Sequence, residues 1–218
     1  MSTETLVQAP PRGMWGQSSQ VTLVRADCWL GRPLDPKPSI DAYVRRYLAA
    51  FGPATVADVS TWSRLTGVRA VLDRLRPELA VFADERGREL FDLPDAPRPA
   101  PTTKAPVRFL PEYDNLLLAH ADRSRFHHPP DAAGIGRLWE VGRHGIGTVL
   151  YDGVVRASWR LEHGGTPGAH LSVRHLPTRP TRSRSAIESE AVRLLRFLTS
   201  DALTSDAATS DVRFESRT

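Results

Sequence analysis

Apolar residues recur at helical spacing through the first half of residues 39–93 and alternate through the second. Ile40, Val44, Tyr47, Leu48 and Phe51 share one face behind Ser39, a natural N-cap, and the run stops at Gly52-Pro53, where a helix cannot continue. Thr55 caps a short second helix, with Asp58 three residues on as a shortened capping box. Thr66-Gly67 opens a third helix, in which Val68, Val71, Leu72 and Leu75 form the apolar stripe and Arg69, Asp73 and Arg76 the opposite face. Two β-prone runs, 79–83 and 89–93, then flank Asp84-Glu85-Arg86-Gly87, with Gly87 where a hairpin needs positive φ. Three helices and a hairpin are the element order of a winged helix-turn-helix, in which the last helix suits the major groove and the hairpin reaches backbone or minor groove. Such modules also bind proteins, so the pattern leaves two function classes open.

Outside this segment the chain is punctuated by proline. Residues 1–34 hold β-prone pieces at 5–8 and 20–25, separated by Pro10-Pro11-Arg12-Gly13, and resemble a hairpin without its domain. Residues 94–106 (PDAPRPAPTTKAP) are too proline-rich for regular structure and predict a strap between domains. Strand-like runs follow at 107–110, 115–120, 147–151, 154–162 and 169–175, with Asp152-Gly153 as a hairpin signal. A helix over about 185–198 carries Ile187, Ala191, Leu194, Leu195 and Leu198 on its buried stripe. The expected fold is therefore α+β. A remnant hairpin at 1–34 precedes a winged helix-turn-helix domain at 35–93, the strap spans 94–106, a small antiparallel β-barrel closed by a C-terminal helix fills 107–203, and a polar, loosely held tail covers 204–218.

Charge changes this picture more than composition does. The 218 residues are 40% hydrophobic and 25% charged, ordinary for a globular protein, and no apolar run is long enough to span a membrane. No signal peptide is evident and the single Cys28 cannot form an internal disulfide, so a reducing cytoplasm is the expected compartment. Residues 39–93 contain eight arginines and eight acids, so this unit is formally neutral where a stand-alone DNA binder would be basic. The chain's formal excess of +4 is matched by residues 168–198, where six arginines face Glu188 and Glu190. That cluster, HLPTRPTRSRS, either grips phosphates or is a solvated loop leading into a helix. The candidate DNA-contacting residues are Arg64, Arg69, Arg74, Arg76, Arg86 and Arg88 on the helical unit, with Arg179, Arg182 and Arg184 beyond it.

Candidate catalytic chemistry is sparse. Glu112 and Asp114 would share one strand face, as would His120 and Asp122, but short polar residues that bond backbone at sheet corners account for them more simply. His127-His128 lacks metal-ligand spacing, Gly134-Ile-Gly136 and Gly145-Ile-Gly147 are not phosphate loops, and no nucleophile elbow occurs. Trp15, Trp29, Trp62, Trp139 and Trp159 read as core anchors before base-stacking platforms. No cofactor or metal is expected.

The succession PPRGMWGQS, YLAAFGPATVADV, RLRPEL, GRELFDLPDAPRP and RFLPEYDNLLLAHADRSR resembles the winged-helix DNA-binding proteins related to the AlkZ and YcaQ DNA glycosylases, over about residues 5–214. The resemblance implies tandem winged helices followed by a β-barrel, double-stranded DNA as partner, and a catalytic Gln-aliphatic-Gln or Gln-aliphatic-Asp triplet in the first winged helix. Gln8, Gln17 and Gln20 are the chain's only glutamines and form no such triplet. The expectation is thus a DNA-binding protein associated with repair and with no catalytic residue of its own. A glycosylase shortened by a wrong start site and a regulatory or protein-interaction module are the alternatives.

Overall fold

The computed structural model describes residues 4–12, 14, 19–126, 146–163, 169–176, 181–199 and 211–215. Of the residues singled out above, Trp15, Gln17, His127, His128, Gly134, Gly136, Trp139, Gly145 and Arg179 lie outside them, as does the Arg182 side chain. The chain divides into two compact units, 1–43 and 44–218. In the first, β1 (Leu6–Gln8) pairs antiparallel with β2 (Leu23–Arg25), and α1 (Ala26–Leu30) follows directly, ending at Gly31.

The second unit begins within α2 (Ile40–Phe51), whose N-terminus is capped by Ser39 Oγ accepting the Ala42 N–H at 3.1 Å. α3 (Val56–Ser63) and α4 (Val68–Leu75) follow, then a 3-10 turn at Arg76–Glu78 and the antiparallel pair β3 (Ala80–Ala83) and β4 (Glu89–Asp92). Val44, Tyr47, Leu48, Val59, Val68, Leu72 and Leu75 close around Phe91, which is fully buried. These are the helical-period positions, so the stripe that predicts each helix is also what its burial stabilises. Phe51 and Trp62 pack on Tyr47 with ring centroids 5.4 and 5.2 Å away.

Residues 94–106 run between two anchors. Arg98 reaches back to the buried Asp92 at 3.3 Å, and Asp152 accepts the Ala105 N–H at 3.0 Å and pairs with Lys104 at 3.2 Å. Beyond the strap lie β5 (Arg108–Leu110), α5 (Asn115–Leu118), a 3-10 turn at Ser124–Phe126, β6 (Gly147–Tyr151), β7 (Val154–His163), β8 (Ala169–His175), α6 (Thr181–Thr199) and β9 (Asp211–Glu215). Asp152 and Gly153, with φ of 52° and 77°, make the tight β6–β7 turn that an Asp-Gly pair favours.

The five strands form an open sheet in the order β5-β6-β7-β8-β9, antiparallel except for the parallel β8–β9 pair, which corrects the expected closed antiparallel barrel. Closure would require β5 to meet the far edge. Instead α6 crosses one face, burying Ile187, Ala191 and Leu195 on Val149, Ala157, Leu171 and Val173, so a helix fills the volume that a barrel would fill by curling. The chain then returns as β9, placing Val212 and Phe214 against the same core. Part of the segment expected to be a loose tail is therefore an edge strand. Residues 115–118, expected as strand, are helical because Asp114 caps them by accepting the Leu116 N–H at 2.8 Å.

Gly147 sits where Trp159 Nε1 donates to Leu110 O at 2.9 Å, and a Cβ at residue 147 would overlap both groups. Gly147→Ala is expected to part β5 from β6 and cost about 1–3 kcal/mol. Urea unfolding should show a lower midpoint at unchanged slope.

Candidate functional site

The segment that crosses from the helical layer to the sheet collects the polar chemistry of the molecule. Tyr47 Oη donates to Ala119 O at 2.5 Å, Trp62 Nε1 donates to Asn115 Oδ1 at 3.2 Å, and the Ala121 N–H donates to Asp58 Oδ1 at 2.8 Å. Asp58 is 3% exposed. Its other oxygen accepts from the Thr55 N–H and hydroxyl, both at 2.8 Å, while Thr55 Oγ1 accepts the Asp58 N–H at 3.2 Å. The capping box foreseen from Thr55 and Asp58 thus forms, and its carboxylate also holds the segment just after α5, 63 residues away.

His120, 2% exposed, lies beside this carboxylate. Its Nδ1 is 3.8 Å from Asp58 Oδ2, beyond hydrogen-bond reach, and has no hydrogen-bond partner, while Nε2 faces Arg125 Nη1 at 3.4 Å. Burial opposes ionisation of Asp58. The imidazole, the Thr55 amide and hydroxyl and the Ala121 amide outweigh it, holding this carboxyl well below the usual range. Burial, with Asp58 nearby, pushes the Tyr47 phenol up.

A groove of about 350 Å³ opens above Asp58, between the β3–β4 loop and residues 122–125, lined by Asp84, Arg86, Arg88, Asp122 and Arg125 among others. Asp122 pairs with Arg86 at 3.3 Å and Arg88 at 3.0 Å, and Arg88 also reaches Asp84 at 2.6 Å. Hydrogen bonds from the Ser124 hydroxyl and amide, followed by Arg88, bring Asp122 down to about 2. The hairpin loop is thereby fastened to the crossing segment.

The sequence-derived arginines fall into separate groups. Arg69 on α4 and Arg76 in the 3-10 turn that follows converge on Glu89 of β4, at 3.6 and 2.6 Å, with Asp73 4.0 Å from Arg69 and the Phe91 ring centroid 5.8 Å from Arg76. Arg86 and Arg88 meet on Asp122. Arg64 ends α3 in the left-handed conformation at φ 59°, and Arg74 lies in the last turn of α4. Arg184 on α6 pairs with Glu188 at 2.6 Å. Glu112 and Asp114 do not share a strand face, since Tyr113 between them has φ 58° and Asp114 is a helix cap. Glu89 and Arg125 organise these groups without having been picked out as site residues, Asp58 had been read only as a helix-capping partner, and Asp122, weighed as a carboxylate beside His120, instead holds the hairpin loop.

Among the described residues there is no group of three or more His, Cys, Asp or Glu suited to a metal, and no helix long and apolar enough to cross a membrane. What the surface offers is guanidinium groups held in fixed positions by carboxylates, a geometry suited to recognising oxyanions. A family model described as DNA glycosylase AlkZ-like matches residues 1–197. No curated protein and no solved structure matches the chain.

The depressed Asp58 carboxyl contributes stability that is present above the unfolded value, about 3.9, and is lost as pH falls toward the folded one. Asp58→Asn is expected to cost about 2–4 kcal/mol at pH 7 by weakening charged hydrogen bonds to three donors. The gap to the wild type should narrow below about pH 4, measured by denaturant unfolding across pH.

Proposed function

We propose that this chain, which belongs to the AlkZ-like DNA glycosylase family, is a DNA-binding protein associated with repair that holds duplex DNA without excising a base. The match over residues 1–197 carries the association with DNA repair. The helical layer supports DNA binding, because three helices followed by a hairpin, the element order of a winged helix-turn-helix, present Arg69, Arg76, Arg86 and Arg88. The absence of a Gln-aliphatic-Gln or Gln-aliphatic-Asp triplet supports the non-catalytic part, since base excision needs a group that positions water and stabilises charge developing at the sugar.

Affinity on this reading is weak and phosphate-dominated. Arg69 of α4 and Arg76 just beyond it share Glu89, so part of their charge is already spent within the protein. Glu89→Gln is expected to tighten duplex binding several-fold and to steepen the salt dependence by about one unit in the log–log slope, by releasing guanidinium charge to phosphate. Fluorescence anisotropy over a salt series measures both, and an unchanged affinity would remove α4 from the interface.

Incubation with DNA containing 7-methylguanine is expected to give no abasic-site strand breaks above background. Cleavage that disappears in a Glu112→Gln, Asp114→Asn variant would instead make those carboxylates catalytic.

A further inference from the structure

The sheet has a second face, opposite α6, and its side chains follow from the register. Ser158 pairs with Arg174, Arg160 with Ser172, and Ser172 in turn with Arg213 on β9. Alternation along each strand puts all five on the face away from Ala157, Leu171 and Val173, which pack against the helix. Two serines and three arginines therefore interleave across three neighbouring strands.

Within this lattice is a depression of about 50 Å³, lined by Ser158, Ser172, Arg160, Arg174, Glu162, Trp159 and Ile146. Ser158 and Ser172, each 8% exposed, both line it. Thr148 on β6, paired with Ser158 of β7, has its Oγ1 buried without a partner. A buried hydroxyl left unbonded costs about 1–3 kcal/mol, so the Thr148 hydroxyl beside the two serines is a standing demand for a hydrogen-bonding partner on this face. Arg160 is half exposed and touches Glu162 only at 3.7 Å, a contact that a better oxyanion partner would replace.

We propose that this depression is a seat for a single phosphate group. The serine hydroxyls donate to its oxygens from the floor, and Arg160 and Arg174, on the diagonal of the lattice, neutralise it from either side. Its volume excludes a nucleobase but accommodates a tetrahedral oxyanion partly open to solvent. The chemistry is common to a DNA backbone phosphate and to free phosphate. The first source rests on the DNA-binding reading above, and the seat itself does not.

The test is heteronuclear NMR of the full chain titrated with inorganic phosphate and, separately, with an unmodified DNA duplex at the same ionic strength. Phosphate is expected to give saturable shifts at the Ser158 and Ser172 amides that chloride does not reproduce. Arg160→Ala with Arg174→Ala should weaken this binding at least about tenfold, the loss of one charge-assisted hydrogen bond. Ser158→Ala with Ser172→Ala, a change too small to threaten the sheet, should also weaken it, while Arg193→Ala on exposed α6 should not. If duplex shifts the same amides, the seat takes a backbone phosphate. If duplex binds but leaves them unmoved while phosphate shifts them, the seat serves a free phosphate and DNA lies elsewhere. Absence of a phosphate-specific shift at these amides overturns the proposal, whatever the duplex does.

Discussion

A carboxylate out of water has to be surrounded by donors, and Asp58 meets that condition with groups from both layers of the second unit. Thr55 supplies an amide and a hydroxyl from the start of α3, and Ala121 supplies an amide from the segment leading to the sheet. An isolated ion there would cost several kcal/mol. The same bonds that satisfy it fix the position of residues 119–121, and Tyr47 holds the carbonyl of Ala119 from the other side. Ala119 then belongs to the helical core, while Leu117 and Phe126, a few residues away, pack on Leu150, Val155 and Leu176 under the sheet. Two hydrophobic clusters are joined through one short polar crossing.

Charge pairing extends this constraint to the surface. Asp122 holds the hairpin loop by Arg86 and Arg88, and Glu89 holds α4 to the hairpin by Arg69 and Arg76. Exposed pairs of this kind contribute little stability individually, with a median near 0–1 kcal/mol. Their effect is geometric, because a guanidinium already oriented loses less freedom when an oxyanion arrives. The arrangement exchanges raw attraction for order. It explains how a unit with eight arginines can remain formally neutral and still present them in a fixed pattern.

What the sequence made legible was local. Ser39 and Thr55 cap their helices through bonds spanning three residues, and Asp152-Gly153 turns its hairpin through its own backbone angles. Residues 115–118 went astray because a short apolar run carries no period of its own, while Asp114, read as a polar residue bonding backbone, does so as the helix cap. The second role of Asp58 depends on Ala121, 63 positions on, and no spacing rule reaches that far. Likewise the stripe on α6 announced a buried face but not whether a closed or an open sheet would cover it. The parallel return of β9 decided that, and a polar segment near the chain terminus gave no sign of it.

That return has a consequence for how the protein is made. β9 pairs with β8 in register from His170 and Asp211 onward, 41 residues apart, with α6 between them. At ~5–20 residues per second, synthesis leaves the outer edge of β8 without its partner for roughly two to eight seconds. During that interval a row of unpaired amides and carbonyls borders Leu171 and Val173, the combination by which strands recruit neighbours from other chains. Until β9 arrives, that bare edge of β8 is a template on which a neighbouring nascent chain could pair.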